Sequence, residues 1–297
     1  MRLTHGRAAG LMVGVTLLWA TAGVVTRHLE QAQSFELTFW RSFFTLLSLL
    51  VILPLWRGCM VFTQIRHGGR ELWTSGVCWS VMFTTFMVAL TLTRVANVLV
   101  TMALGPLLTA LAARVWIGHR LPARTWAAIL VAGLGIGWMY GAQLGQGGLL
   151  GTLVALCVPV AGACNWTLVQ HAHAEGRDID LVPAVLVGAA LSALATLPLA
   201  WPFRSNAHDL GLLAFLGLFQ LALPCVLSVL CARVLKAPEV ALLALLEVIF
   251  GIALAWLGAG EAPAPAVLVG GTLVIGALLA NELLNLKARR TALARSA

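Results

Sequence analysis

The sequence predicts an all-α integral membrane protein, with ten transmembrane helices in two inverted five-helix repeats around a central cavity. Composition gives the first reason. Hydrophobic residues make up 60% of the chain and charged residues only 10%, with a mean hydropathy of +0.94. Soluble domains carry about 25% charged residues. The second reason is an internal repeat, and the third is the placement of proline inside apolar segments.

Ten segments are long and apolar enough to cross a bilayer, which takes about 20 residues per helix. They lie at about 8–26, 35–55, 73–92, 97–117, 124–141, 149–169, 181–200, 210–231, 238–257 and 265–284. The links between them are too short for a soluble domain. The first segment also resembles a signal peptide, because a basic start precedes Ala20-Thr21-Ala22. Cleavage would leave nine spans, so the repeat favours ten.

The second half of the chain repeats the pattern of the first. The stretch RVANVLVTMALGPLLTALAARVWIGHRLP begins at Arg94, and KAPEVALLALLEVIFGIALAWLGAGEAPA begins at Lys236. The same shift aligns Gly118 with Gly260. Five segments per half is an odd number, so the second unit enters the membrane inverted. Inverted repeats of this kind are typical of secondary transporters. The predicted units are residues 1–145 and 146–297.

Lys and Arg predict the orientation. With a cytoplasmic amino terminus, only Arg27, Arg94 and Arg204 fall on the outer side, and Arg41 lies inside a span. The remaining basic residues face the cytoplasm, as the positive-inside rule requires. Both termini are therefore predicted to be cytoplasmic. The net charge of +8 follows from this bias, and because the charge is spread over several loops it does not indicate a nucleic-acid partner.

Three prolines lie inside predicted helices four, six and eight: Pro106, Pro159 and Pro224. An interior proline removes one backbone hydrogen bond and frees the carbonyl four residues earlier. Inside a membrane that carbonyl needs another partner. We expect these helices to bend and line a cavity, with the three prolines as hinges. The alternative is three static kinks.

Small residues recur at four-residue spacing on the fifth and tenth segments, a pattern that lets helices approach closely. They are Gly133, Gly137 and Gly141 on the fifth, and Thr272, Gly276 and Ala280 on the tenth. Packing within one chain is expected before packing on a second copy. The predicted state is therefore a monomer in contact with membrane lipid.

Few ionisable residues lie within the spans. Glu247 falls near the middle of the ninth, where an ionised carboxylate is costly unless it is paired, hydrated or protonated. It is either a proton or substrate site or a hydrogen-bonded carboxyl that ties helices together. Arg41 lies near the outer end of the second span, and we expect its long side chain to reach the interface.

Neutral polar and aromatic side chains complete the candidate cavity. Gln220 and Asn165 offer hydrogen bonds to a substrate or to a neighbouring helix. Trp19, Trp79 and Trp166 lie mid-helix, away from the interfacial belt where Trp gathers. Each faces lipid, another helix or a cavity.

The stretches GLMVGVTLLWATAGVVTRHL, FWRSFF, GPLLTALAARVWIGHRL and LLEVIFGIALAWLGAGEAP resemble the drug/metabolite transporter superfamily, in its ten-helix branch with two EamA-type repeats. The Glu-Pro pair common in the second repeat is Glu247-Val248 here. The acid that often follows glycine in the first repeat is replaced by His119, while Gly260-Glu261 is kept.

Within that superfamily the chain is most similar to bacterial amino-acid exporters of the YddG type. The resemblance implies export of amino acids, aromatic and neutral ones among them, across the inner membrane. It also implies a cavity formed by helices one, three, four, six, eight and nine. The cavity residues it implies, beside the prolines, are Trp19, Trp79, Phe83, Met102, Asn165, Trp166, Gln220 and Glu247.

Other functions fit the sequence less well. The runner-up is a multidrug or toxic-cation exporter of the same superfamily, and a non-transport membrane scaffold is more remote. No HExxH, GxSxG or GxxxxGK[ST] motif is present, so neither an enzyme nor direct use of ATP is expected. The scattered cysteines lack metal-ligand spacing. We expect no metal and no cofactor.

Overall fold

The structure, a computed structural model, is a bundle of helices, and no strand occurs in the part of the chain that it describes. It describes residues 4–116, 118, 122–143, 149–174, 181–232, 234–235 and 237–296. The first half contains α1 (His5–Thr26), α2 (Ser34–Arg57), α3 (Met60–Arg66), α4 (Arg70–Leu92), α5 (Val95–Met102), α6 (Gly105–Trp116) and α7 (Ala123–Gln143). The second half contains α8 (Leu149–Ala174), α9 (Val182–Ala200), α10 (Ala207–Phe215), a π-helical segment (Leu216–Ala222), α11 (Leu223–Ala232), α12 (Ala237–Ala259) and α13 (Pro265–Ser296).

Seven helices within the described residues are long and apolar enough to cross a membrane, when α5 with α6, and α10 through the first part of α11, are each taken as one span. Three shorter apolar helices accompany them, at Ala123–Met139, Leu243–Ala259 and Pro265–Asn281. Each of the ten predicted segments falls on helix. The short helix α3 was not predicted, and α13 continues well beyond the predicted end of the tenth segment at about residue 284.

Helices of the first half pack chiefly on helices of the second half. Helix α1 lies against α12, α2 against α9, α4 against α8 and α9, and α7 against α13. The main apolar core draws buried side chains from both halves, among them Met87, Leu99, Ile136 and Val274. The two halves are thus interleaved, with a shared interior.

Glycine permits the closest helix contacts. A Cβ at Gly135 of α7 would meet the carbonyl oxygen of Gly270 at 2.7 Å, and one at Gly270 of α13 would clash with Met139. The predicted ridge of Gly133, Gly137 and Gly141 is exposed instead, and a Cβ added there would meet nothing within 4 Å. The helix pair therefore forms, but through a face of α7 two positions away from the one that the spacing indicated.

Candidate functional site

Arg41 occupies the interior of the bundle. Its side chain projects from α2 and is only 2% exposed. The Nε and Nη2 atoms donate hydrogen bonds to Oε1 of Gln220 at 3.1 and 2.8 Å. The Nε2 of Gln220 in turn donates to the carbonyl of Trp19 on α1 at 3.2 Å. The expectation that Arg41 reaches the interface is therefore wrong, because an acceptor 179 residues away holds it inside.

Aromatic rings flank the guanidinium. The Cζ of Arg41 lies 5.9 Å from the ring centre of Phe83 and 5.6 Å from that of Phe86, both on α4. Rings at such distances attract a cation electrostatically. Trp79 extends this aromatic surface, with its ring centre 5.5 Å from that of Phe83. The cation is thus held in a largely apolar setting.

One donor group of Arg41 is left unpaired in the described part of the chain. Its Nη1 is buried and has no hydrogen-bond partner among the residues that the structure describes. A buried donor left unsatisfied costs about 1–3 kcal/mol, and more when it is charged. An unpaired buried donor in a native protein needs an explanation. A ligand that binds and leaves, and that carries an acceptor oxygen, would pair with Nη1 while it is bound.

Glu247 supplies a carboxyl group in the same region. It lies on α12, which packs on α1, and it keeps part of its accessible surface. It lies near enough to the Arg41 guanidinium for a charge on one group to affect the other. They form no direct ion pair, and no donor among the described residues bonds to the carboxylate. Arg41, Gln220 and Glu247 are termed the central cluster below.

The central cluster gathers half of the predicted cavity residues. Those in or beside it are Trp79, Phe83, Gln220 and Glu247. Trp19 contributes its carbonyl oxygen to Gln220, while its side chain packs on a separate apolar cluster that includes Met12 and Cys231. Asn165 is elsewhere: its Oδ1 accepts a hydrogen bond of 2.6 Å from Ser75, and this buried pair ties α8 to α4. Trp166 is 50% exposed. Met102 ends α5, and its side chain packs against the main apolar core.

Two of the three predicted hinge prolines mark changes in helix geometry. The fourth span is broken between α5 and α6, just before Pro106. The eighth span becomes π-helical over Leu216–Ala222, just before Pro224, and Gln220 lies in that segment. Single-turn π segments are frequent at functional sites. Pro159, in contrast, lies within the continuous helix α8.

A second polar network fastens the end of the bundle at which α1, α4 and α12 finish. Arg27 pairs with Glu261 through its Nε and donates to the carbonyls of Leu90 and Thr93, at 2.7 Å each. The other carboxylate oxygen of Glu261 accepts the N–H of Val95 at 2.6 Å. These five residues are termed the latch. It joins both halves of the chain.

Two buried carboxylates reinforce the same end. Asp209, with no exposed surface, accepts the backbone N–H groups of Glu30, Gln31 and Ala32 at 2.9 Å each. Glu36, which is 2% exposed, accepts those of Arg204 and Ser205 and also the Ser205 hydroxyl. Each carboxylate thus accepts backbone N–H groups of a segment between two helices, where no regular secondary structure supplies the acceptors.

Sequence reasoning did not predict the latch or these carboxylates. Arg27 counted only as a loop charge, and Glu261 was noted only for its place in a family pattern. The signal available was an acid or a base within one turn of a span end. That signal does not identify a partner. In the part of the chain that the structure describes, no group of three or more His, Cys, Asp or Glu side chains is placed to hold a metal ion.

Comparison with known proteins finds a family similarity in the first half of the chain. A family model described as the EamA-like transporter family matches residues 6–141. A solved crystal structure of a protein superposes on the chain with a TM-score of 0.63 at 20% identity. The match covers 96% of this chain and 99% of that one. That likeness shows a shared fold over nearly the full length. No curated protein matches the chain.

Proposed function

Because residues 6–141 match the model of the EamA-like transporter family, we propose that this multi-pass membrane protein is a transporter and that it exports small metabolites. The substrates we propose are amino acids, aromatic and neutral ones among them, moved out across the bacterial inner membrane. The observation that carries the proposal is the central cluster: a buried arginine with an unused donor, beside an acid and aromatic rings, deep in an apolar bundle.

The central cluster suits a small molecule with both charges and an apolar part. Arg41 offers donors to a carboxylate, Glu247 offers acceptors to an ammonium, and Phe83 offers an apolar face. A toxic-cation exporter, the alternative within the superfamily, would need the acid alone. A buried guanidinium beside it would repel a cationic cargo, because charges interact strongly where water is scarce. The pairing of charges therefore favours amino acids.

For the architecture, we propose ten spans in two inverted repeats, residues 1–145 and 146–297, with both termini cytoplasmic. Seven long helices and three shorter apolar ones supply enough segments. Gly118 and Gly260, which the repeat aligns, both have a positive φ, of 73° and 66°. Glycine readily adopts this left-handed conformation, which commonly ends a helix. The same backbone conformation at two aligned positions supports an internal repeat.

For the mechanism, we propose alternating access, with the cavity opening first to one side of the membrane and then to the other. The latch would close the periplasmic end in this orientation. The helix break before Pro106 and the π-helical segment before Pro224 are the points where the backbone ladder is already interrupted, so bending there costs least. Pro159 remains a third proposed hinge.

We propose that the substrate gradient sets the direction of transport. Glu247 is the one acid of the central cluster, so it is also the group that would carry a coupled proton. Glu247→Gln keeps the shape of the side chain but cannot titrate. In liposomes, we expect an imposed pH gradient to change the uptake rates of wild type and variant by the same factor, whatever their absolute rates. A wild-type response that the variant loses would establish proton coupling.

Transport by the purified protein in liposomes tests the function. We expect uptake of labelled phenylalanine and leucine above that of protein-free liposomes, and no uptake of lipophilic cations. The exposed Arg66 lies on α3, away from the central cluster, so Arg66→Gln is a matched control that should transport normally. Uptake of cations without amino acids would replace the proposal with its alternative. A lack of any uptake would contradict both.

A further inference from the structure

We infer that the central cluster recognises a zwitterion at two points, with Arg41 binding the carboxylate and Glu247 the ammonium of one amino acid. This inference rests on the proposed function and adds to it the residues that define the substrate. It makes Arg41 a specificity-determining residue. It also makes Glu247 a substrate ligand, in place of a proton carrier or a helix tie.

The donors of Arg41 divide into a structural set and a free set. Nε and Nη2 bond to Gln220, and Gln220 is itself held by the carbonyl of Trp19. These hydrogen bonds fix the plane of the guanidinium. The buried Nη1 is left without a partner. Guanidinium groups bind carboxylates through N–H donors in a rigid fork. An oxygen of a substrate carboxylate would therefore accept the hydrogen bond that Nη1 has to offer.

The rings beside Arg41 leave its Nη1 donor available to a ligand, because aromatic carbon atoms do not accept its hydrogen bond. Phe83 and Phe86 lie within 6 Å of the guanidinium carbon, at 5.9 and 5.6 Å. They offer the cation electrostatic attraction but no acceptor for a hydrogen bond. A carboxylate oxygen entering this space meets one dominant partner, which is Nη1.

Glu247 is arranged as the complementary charge. It lies near enough to Arg41 for a charge on one group to affect the other, and no hydrogen bond or ion pair joins the two side chains. A direct ion pair would neutralise both groups and leave nothing for a ligand. The two groups come from α2 and α12, one in each half of the chain. An amino acid carries its carboxylate and ammonium on the same carbon, so one molecule placed between these side chains satisfies both.

The aromatic surface defines the remaining part of the substrate. Trp79 and Phe83 pack on each other beside the guanidinium, and they suit an apolar or aromatic side chain. A second charge on the substrate would find no partner here. We therefore expect phenylalanine and leucine to bind, and aspartate and lysine to bind at least tenfold more weakly.

Competition binding on the purified full-length protein tests the two contacts separately. The probe is labelled phenylalanine. The competitors are phenylalanine, phenethylamine, which lacks the carboxylate, and 3-phenylpropionate, which lacks the ammonium. We expect wild type to prefer phenylalanine over both analogues at least tenfold. Arg41→Gln should lose the preference over phenethylamine only. Glu247→Gln should lose the preference over 3-phenylpropionate only. Arg66→Gln, the exposed control, should keep both.

Each outcome decides the assignment. Either variant keeping its wild-type preference overturns it. If Arg41→Gln does not fold, the analogue series on wild type still decides, because equal binding of phenylalanine and phenethylamine excludes the carboxylate contact. Transport of amino acids in liposomes with unchanged preferences in both variants overturns this inference alone. A wild type that transports no amino acid overturns the proposed function, and the inference with it.

Discussion

The latch supports a prediction about the end of the bundle at which α1 finishes. Val95 begins α5, and its N–H is one of the first-turn donors that a helix cannot satisfy internally. The carboxylate of Glu261 accepts it and also pairs with Arg27. Replacing Glu261 by Gln removes the charge from both contacts. The amide of Val95 should then exchange its hydrogen faster.

The magnitude follows from the exposure of the pair. A hydrogen bond to a charged group contributes about 1.5–3 kcal/mol, and exposed ion pairs contribute about 0.2–1 kcal/mol. The side chains of Arg27 and Glu261 are 27% and 15% exposed, between these limits. We expect Glu261→Gln to weaken local closure by about 1–2 kcal/mol, which is a roughly 5- to 30-fold change in the opening equilibrium.

Hydrogen–deuterium exchange of peptides covering Val95, in detergent or nanodiscs, measures this change. A double-mutant cycle with Arg27→Ala and Glu261→Ala isolates the coupling between the two side chains. Glu30→Gln is the matched control, because it removes an exposed carboxylate from the same end of the bundle. Its effect should stay within about 0.5 kcal/mol. Additive effects in the cycle, or equal protection of Val95 in wild type and Glu261→Gln, would refute the reasoning.

Three further predictions concern other parts of the bundle. Asp209→Ala leaves three backbone N–H groups without their acceptor, and should cost about 3 kcal/mol or more, seen as a lower midpoint in thermal unfolding of the detergent-solubilised protein. Pro106→Ala and Pro224→Ala should slow transport in liposomes more than they weaken substrate binding, and wild-type turnover in both would remove the hinge proposal. Gly135→Leu should force α7 away from α13 and lower the yield of folded protein, whereas Gly137→Leu, on the exposed face, should not.

The positions of the apolar segments were predictable because hydropathy over about 20 residues is a local property. Seven of the helices are long enough to cross a membrane and three are shorter, so the count of ten spans stays a prediction. The break before Pro106 was equally local, since one proline is sufficient to interrupt the ladder. The π-helical segment was not predictable, because an interior proline does not specify which irregular geometry precedes it. Helix α3 was missed because its seven residues are too few for a membrane span.

The site depends on pairings that a single sequence does not contain. Arg41 was expected at the interface because an arginine near a span end often extends there. Its true environment is set by Gln220, in the other half of the chain. The prediction that Gly133, Gly137 and Gly141 form the close helix contact was wrong for a related reason. Spacing identifies a face that permits close packing, but the neighbour on α13 decides that Gly135 is the residue used.

The interleaving of the two halves has a consequence for biosynthesis. When residues 1–145 have left the ribosome, the surfaces by which α1, α2 and α4 meet α12, α9 and α8 are still without their partners. The helices of the first half therefore stay in the membrane with these surfaces unpacked until the second half is inserted. A gene split at this boundary should yield stable protein only when both fragments are made in the same cell, because neither contains a complete interior.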